Sequence, residues 1–416
     1  QRYKCFGCGE SGDMFNFVQK IENLDFPETL QKLAKEAGIE LKQYKTNPKY
    51  SRLEDINYIA TKYYYNELKI NKAAFNYING RGFSKESIKQ FGIGYAPRYP
   101  QLLEYIGKNK FKQQELIDSG LFVLKEGKLK EKFYDRIMFP IRSAKGKVIG
   151  FSGRILPGND YGPKYMNSPE TPIFHKKLNL FAQYESRQEI RKNDLAILCE
   201  GQTDVISAHQ HGVKNIVAPL GTGLTREQLE TLSKLTKNIL FFFDTDAAGQ
   251  NAVVRAFKLA SQLNLYPYAT NSAPYKDIDE MLQAEPNAIA KRIEDKQEAF
   301  SYILTNYIKD KDLSKLKDFT DTQKFLKELL EGVSTSTLQK HYKTKITQLI
   351  KIDLDESKNV DTTSPSTPNL TKTFLVKSND FLLDKTYLQL LIFSKLRKSE
   401  LLVPSRYLSS PILKDM

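Results

Sequence analysis

The 416-residue sequence predicts a mixed α/β chain of several domains organised around one parallel sheet. Three observations lead there. Residues 194–282 alternate short apolar runs with amphipathic helical stretches, the rhythm of parallel strands joined by right-handed crossovers. Upstream, F-Y-D-R-I-M-F-P-I-R and G-K-V-I-G-F-S-G-R-I-L read as short strands about a Lys145-Gly146 turn, beginning at Phe133. Downstream, Asn287 to about Ile352 is Lys-rich and amphipathic at helical spacing.

From the N-terminus, Cys5-Phe6-Gly7-Cys8-Gly9 is a C-x-x-C turn with the spacing of half a tetrahedral zinc site. A thioredoxin-like redox pair would want a preceding strand and a βαβ context, and neither is present in the sequence. Asp13 can cap a helix carrying Met14, Phe17, Val18 and Ile21 on one face. Pro27 suits the first turn of the next helix, which Gly38 closes. Lys42–Arg52 is polar, basic and contains Pro48, and reads as a linker. In the basic aromatic stretch Tyr58–Tyr77, helical spacing makes most tyrosines, Tyr63, Tyr64 and Tyr65 among them, core or rim residues rather than base-stacking ligands. P-K-Y-M-N-S-P-E-T-P is a loop by its prolines.

In the central unit the strands are 194–199, 215–219, 238–243 and 265–271, with helices at 203–212, 225–236 and 248–263. Gly221-Thr222-Gly223 follows the second strand, where small residues let backbone N–H groups approach a phosphate. Cys199 is a buried thiol at a strand end. His209 and His211, at i and i+2 on a helix, do not face each other and are expected on the surface. Asp353–Thr373 is rich in Ser, Thr, Asp and Pro, as a flexible linker is. Asp380–Leu396 is a last helical pattern whose apolar face needs a partner.

A net charge of +14 and a pI near 9.3 point to a polyanionic partner, nucleic acid before an acidic membrane surface. Three cysteines make no disulfide framework, so an intracellular, reduced protein is expected. No apolar run approaches a membrane span. The chain starts at Gln1 without an initiating Met and reads as a piece of a longer protein.

The chemistry concentrates at two strand ends. D-L-A-I-L-C-E-G-Q-T-D-V ends its strand at Glu200, and N-I-L-F-F-F-D-T-D-A-A-G ends at Asp244 and Asp246. Open α/β sheets bind ligands outside the carboxyl ends of their strands, so these acids should share one crevice. Uncompensated carboxylates repel, and a divalent cation is the usual reason to tolerate them. Helix capping accounts for Asp246 or Asp204 taken singly, but not for the convergence. Arg136, Arg142 and Arg154 are spaced so that several can project from one sheet surface, either beside this crevice where phosphates would pass or as a solvated basic face.

These residues carry a resemblance. E-G-x-x-D (Glu200, Gly201, Asp204), A-x-L-G-T (Ala218, Leu220, Gly221, Thr222) and D-x-D-x-A-G (Asp244, Asp246, Ala248, Gly249) resemble the Toprim domain of primases, topoisomerases and small nucleases. C-F-G-C-G-E-S-G-D, G-R-G-F, F-G-I-G-Y-A-P, R-I-M-F-P-I-R, G-F-S-G-R and K-Y-M-N-S-P-E-T resemble, in order, the zinc-binding domain and catalytic core of bacterial replicative primases of the DnaG type. The likeness covers about residues 1–350.

The resemblance implies a primase core with a Toprim parallel-sheet domain followed by a helical subdomain. It implies a partial zinc-binding domain at 1–41, a linker at 42–52, the N-terminal part of the polymerase core at 53–192 and Toprim at 193–285. A helical subdomain at 286–352, a linker at 353–375 and part of a helicase-binding domain at 376–416 complete the order. The implied activity joins NTPs into a short RNA primer on single-stranded DNA. Glu200, Asp244 and Asp246 match the acidic triad for Mg²⁺ or Mn²⁺, Asp204 a nearby acid, and Asp277 and Asp279 carboxylates at the rim. Glu200 is either ligand or general base.

Arg154, Lys164 and Lys176 match basic residues that bind template or nucleotide, and Arg136, Arg142 and Asn167 are candidates beside them. Cys5 and Cys8 match two ligands of a Zn²⁺ site whose C-x-x-H half is absent from the sequence. Tyr134 stands where family members often have the first Arg of F-R-x-R, and K-D-I-D-E lacks the proline common between its acids. Implied partners are the replicative helicase (DnaB type) through the C-terminal region and single-strand-binding protein. The protein would act as a cytoplasmic, nucleoid-associated monomer. The alternatives are a Toprim nuclease or topoisomerase-like DNA-cleaving enzyme, and a non-catalytic single-strand-binding or helicase-loading module. No G-x-x-x-x-G-K-[ST] P-loop is visible.

Overall fold

A computed structural model of the chain describes residues 2–4, 7, 11–22, 26–39, 48–99, 101–107, 111–158, 162–221 and 223–350. Cys5, Cys8, the first part of the expected linker (42–47) and everything from 351 onward, including the second linker and the last helical pattern, lie outside the described residues.

Near the N-terminus a two-stranded ribbon, Arg2–Lys4 with Ser11–Asp13, leads into the helix Met14–Glu22. Asp13 Oδ1 accepts from the Asn16 N–H at 2.9 Å and Asn16 Oδ1 accepts from the Asp13 N–H at 3.1 Å, a reciprocal cap. The second helix, Phe26–Glu36, closes with Gly38 at φ +66°. The linker expected through Arg52 is overturned in its second half. Residues 48–52 are the first turns of the helix Pro48–Ile70, because proline at the start of a helix forfeits only an N–H that has no intrahelical partner.

That helix lies across a four-stranded antiparallel sheet ordered Gly94–Ala96, Arg136–Arg142, Val148–Ile155, Tyr165–Asn167. Tyr63 and Tyr64 are buried against it, as core residues. The expected loop after Pro163 contains the edge strand Tyr165–Asn167, whose three residues pair with Ser152, Gly153 and Arg154 between flanking prolines. An edge position tolerates proline at both ends, since only one side of the strand is hydrogen-bonded.

The central sheet has six strands ordered Gln297–Glu298, Tyr266–Thr270, Asn238–Phe242, Ala196–Leu198, Ile216–Pro219, Leu180–Phe181. The middle four are parallel, as the alternation predicts, and the two short edge strands are antiparallel. Side chains divide by parity. Ile197, Leu240 and Phe242 face one core, while Leu198, Ile239 and Phe241 face the other.

The helix Gln202–Gln210 covers the first face and Ala247–Gln262 the second. Chain order thus reverses between Ala196–Leu198 and Asn238–Phe242, the topological switch point where ligands gather. The helices Ala299–Ile308, Leu316–Glu331 and Ser336–Ile350 bury Phe300, Leu326 and Tyr342 on the second face. No helix among the described residues is long and apolar enough to cross a membrane.

The two sheets share a core. One apolar cluster runs from Leu68 and Phe91 through Ile137 and Phe139 to Ile197, Phe242 and Met281. His209, expected on the surface, is buried in this seam, its ring edge-on to Phe91 at 5.1 Å. Burial pushes its pKa down to about 4, so the imidazole is neutral and sits with Ser186 Oγ (3.2 Å) and the Ile216 carbonyl (3.4 Å). His211 turns elsewhere and bonds the Ser207 carbonyl at 2.8 Å, so the two histidines do not pair.

Gly94 marks a tight crossing of helix and sheet. A Cβ there would stand 2.5 Å from the Tyr64 carbonyl carbon, a backbone atom that cannot swing away. Gly94→Ala is therefore expected to cost about 1–3 kcal/mol of stability through overpacking. Urea unfolding checks it, and an unchanged midpoint would show that the helix and sheet can separate freely.

Candidate active site

Glu200 follows the strand Ala196–Leu198, and Asp244 and Asp246 follow its hydrogen-bonded neighbour Asn238–Phe242. The two strand ends are joined directly, with the Asp244 N–H donating to Glu200 Oε1 at 3.3 Å. Asp246 is the N-cap of Ala247–Gln262 and accepts from the Gly249 N–H at 2.9 Å. A Cβ at Gly249 would lie 2.1 Å from the Asp244 carbonyl oxygen, so glycine is what lets the D-x-D loop fold down onto the helix start. Desolvation pushes Asp244 up to about 7, reinforced by Glu200 and Asp277 and opposed by Lys276. Desolvation also raises Glu200, with Asp246 adding to it.

The other acids divide. Asp277 caps the helix Ile278–Ala284, accepting from the Glu280 N–H at 2.8 Å, and remains partly exposed near Asp244. Asp204 and Asp279 are buried, and this corrects the expectation of rim carboxylates for Asp279. Asp204 accepts from the N–H groups of Gly201 and Asp279, each at 3.1 Å, and burial raises its pKa well above the carboxylate range. Asp279 is ion-paired to Arg81 and accepts from Ser207 Oγ. Both acids serve the scaffold of the crevice and do not open into it.

Opposite the acids stands one face of the antiparallel sheet. Arg154 pairs in register with Tyr165 and Ser152 with Asn167, so these four side chains share that face. It meets the start of the helix Gln202–Gln210, where Gln202 Nε2 reaches Ser152 Oγ at 3.4 Å. Arg154 donates to the Tyr165 hydroxyl at 3.0 Å and lies over the rings of Tyr77 and Tyr165 at 5.5 and 5.4 Å. Lys164 is exposed, and Arg154, then burial, Lys276 and Arg81, lower its pKa. Asn167 Oδ1, Tyr77 Oη and Arg81 Nε are buried with no hydrogen-bond partner.

Two of the expected arginines go elsewhere, which is a correction. Arg136 pairs with Ile155, on the face opposite Arg154, and its buried guanidinium donates to the carbonyls of Gly153 (3.1 Å) and Pro163 (2.9 Å). Arg142 is ion-paired to the buried Glu185. Lys176 stands apart near Lys132, with its N–H donating to Glu170 at 3.1 Å. Sequence reasoning passed over Arg81, Tyr77 and Lys276. The signals were present in G-R-G-F and in the first letter of K-D-I-D-E, but burial partners are invisible in a string.

The acids offer only hard oxygen donors, and Lys276 and Arg255 offset their crowding only in part, which fits a divalent cation. Among the described residues no three His, Cys, Asp or Glu side chains are already closed into a coordination group. An ion would draw Glu200, Asp244 and Asp246 together.

An acid crevice at the switch point of a parallel sheet, closed on one side by a cationic antiparallel module, defines a Toprim-class catalytic core. Family models agree along the chain. Residues 197–282 match a Toprim-like domain, 63–187 the N-terminal domain of a DNA primase catalytic core, and 1–49 a CHC2 zinc finger. A DNA primase of Pseudomonas putida is 41% identical over 271 residues, which cover 62% of this chain and 41% of that relative's length. Two solved structures superpose on the core. One is a DNA primase domain from Pseudomonas aeruginosa (33% identity, TM-score 0.66, covering 72% of this chain and 97% of that one). The other is a DnaG primase catalytic domain bound to ssDNA (30% identity, TM-score 0.63, covering 73% and 97%). The chain belongs to the DnaG-type bacterial DNA primases.

The crowded acids set a pH dependence. Asp244 titrates at about 7 in the fold against an ordinary 3.8, so the protonated form favours folding. Its contribution is fully present below the ordinary value and is lost as pH rises through the folded one. With divalent ions chelated, the chain should lose stability between about pH 4 and 7, and Asp244→Asn should remove that part of the slope. Thermal unfolding across this range checks it, and identical slopes for the two proteins would refute the upward displacement of Asp244.

Proposed function

We propose that this chain synthesises short RNA primers from NTPs on single-stranded DNA, by metal-dependent nucleotidyl transfer at the Toprim crevice. The observation that carries the reading is the convergence of Glu200, Asp244 and Asp246 on one side of a crevice whose other side holds Arg154, Lys164 and Asn167. Phosphoryl transfer asks a protein to position the reactants and offset charge, and the two walls supply one sign each.

Glu200, Asp244 and Asp246 would hold Mg²⁺ or Mn²⁺, with Asp277 and Lys276 at their margin. The ion would activate the attacking 3′-hydroxyl and stabilise charge at the α-phosphate. Arg154, fixed between two tyrosine rings, and Lys164, its charge crowded by neighbouring cations, bind phosphates of template or nucleotide. Arg81 holds Asp279 and with it the start of the acidic segment. The relative solved with ssDNA supports a single-stranded template.

Cys5 and Cys8 are half of a zinc site that holds Zn²⁺ in the full-length protein, and the C-terminal region meets the replicative helicase. Single-strand-binding protein shares the template in the cytoplasm, and the chain acts there as a monomer near the nucleoid. Lys176 takes an outlying phosphate. Arg136 and Arg142 serve this surface only indirectly, as braces for the sheet.

Labelled-ribonucleotide incorporation on single-stranded DNA, with Mg²⁺ or Mn²⁺, tests the reading. Asp246→Ala should abolish short RNA products and leave template binding nearly unchanged. Cleavage of the template in the same reaction, without incorporation, would instead support the Toprim nuclease. The Arg154→Ala, Lys164→Ala double variant should flatten the dependence of log affinity on log salt by about 1.4, or ~0.7 per lost phosphate contact. An unchanged slope would remove both residues from the template path.

A further inference from the structure

The strand Tyr266–Thr270 is covered along its outer edge only in part. Glu298 pairs with Tyr268 and Gln297 with Ala269, and the chain then turns into the helix Ala299–Ile308. Beside the uncovered Tyr266 and Pro267 lies a cavity of about 420 Å³, whose other wall is the helix Ser336–Ile350. Leu338, His341 and Tyr342 line it from that helix, and with Lys345 they fall at i, i+3, i+4 and i+7, on one face. Tyr342, stacked on Phe300 with ring centroids 4.2 Å apart, makes a rigid floor. Near the helix start Ser334 Oγ closes the cavity, donating to the Ser261 carbonyl at 2.8 Å. The Glu298–Lys345 ion pair closes it one turn beyond Tyr342.

This groove is remote from the acids. Tyr266 pairs with Asn238 at the amino ends of the parallel strands, and Asp244 lies past the other end, about 20 Å away at ~3.3 Å per residue. The open edge cannot template a further strand. The Tyr266 N–H is spent on the Lys237 carbonyl at 2.8 Å and Pro267 has none, so recognition falls to side chains. Tyr266 holds its ring 62% exposed beside the groove. The charges around it are of one sign. Lys237, Lys296, Lys340, Lys343 and Lys345 are bonded to the lining residues or next to them, with Lys296 over the Tyr268 ring at 5.7 Å. Glu298 is the acid in the lining, and Lys345 already pairs it.

We propose that this groove docks an acidic peptide segment of another protein. An apolar side chain of the segment sits between Tyr266, Leu338 and Tyr342, and its carboxylates lie among the surrounding lysines. Charge complementarity selects this occupant, because a cationic segment would meet the same lysines and be repelled. The anchor is of the kind that carries interface energy, a tyrosine-lined pocket that excludes water around one inserted side chain. A single strand of nucleic acid is anionic as well, but it runs through a groove with successive bases stacked. This cavity is closed at both ends and takes a side chain in place of a continuous strand. The assignment concerns binding and does not depend on the primer-synthesis reading.

Fluorescence anisotropy of a labelled acidic peptide, E-E-L-F-E-E, titrated with the full chain tests it. The controls are the charge-reversed K-K-L-F-K-K and E-E-G-G-E-E, which lacks the apolar anchor. The first peptide should bind about tenfold or more tightly than either control. Tyr266→Ala should lose about tenfold of that affinity, and so should the Lys237→Glu, Lys340→Glu double variant. The Arg154→Ala, Lys164→Ala double variant should bind the peptide as the parent chain does. A benzophenone in place of the peptide's phenylalanine should crosslink to residues 261–268 and 338–345. Crosslinks on 154–176 instead, equal binding of the three peptides, or parent-like affinity in both groove variants would overturn the site. Photolabelling of the same residues by a single-stranded oligonucleotide would assign the groove to nucleic acid, and self-association lost in Tyr266→Ala would assign it to a second copy. Either result overturns the peptide.

Discussion

A buried carboxylate ties the two halves of this core together. Asp204 accepts the N–H groups of Gly201 and Asp279, and Asp279 in turn holds Arg81 of the N-terminal module and Ser207 of the helix behind the first strand. One strand end, two helices and the module opposite are thereby fixed to one another at the base of the crevice. A buried acid is costly unless its oxygens are occupied, and here every partner is also a positional constraint. The apolar seam from Phe91 to Phe242 supplies cohesion, which is non-directional, and the acid network supplies register.

On that base the catalytic geometry follows from topology. Parallel strands end on the same edge, and reversal of chain order at Ala196–Leu198 and Asn238–Phe242 sends their helices to opposite faces. The gap between is where Glu200, Asp244 and Asp246 must lie. Their burial and crowding are electrostatically unfavourable, and Asp244 and Glu200 are displaced upward first by desolvation and then by neighbouring carboxylates. A cation relieves it. The Arg154 face meets the start of the helix on one side of the sheet, and Arg255 and Lys258 lie on the other. The acids thus stand between two separate sources of positive charge.

The arginines illustrate how register sorts residues that look alike in a sequence. Arg136 and Arg154 sit in adjacent strands, yet Arg136 pairs with Ile155 and Arg154 with Ile137, which puts them on opposite faces. One is consumed by backbone carbonyls and the other reaches the crevice. A one-residue difference in register would exchange their roles. His209 teaches the same lesson for a helix, since the face it occupies is buried only because a second module packs there.

The sequence by itself determined the parallel unit, the order of its strands and helices, and the acids at its strand ends. Those features are local. Apolar runs, glycine and capping acids act on neighbours a few residues away, and strand ends follow from them. The Asp13 and Asp246 caps and the buried Cys199 were legible for the same reason. What the tertiary structure alone decided was which charged groups are spent on the fold and which stay open. Asp279, Arg136 and Arg142 found partners at sequence separations of 198, 17 and 43 residues, and Arg255 and Lys258 found none among the described residues. A charge is available to a ligand only when the fold has brought it no partner, and that is settled by packing between distant segments.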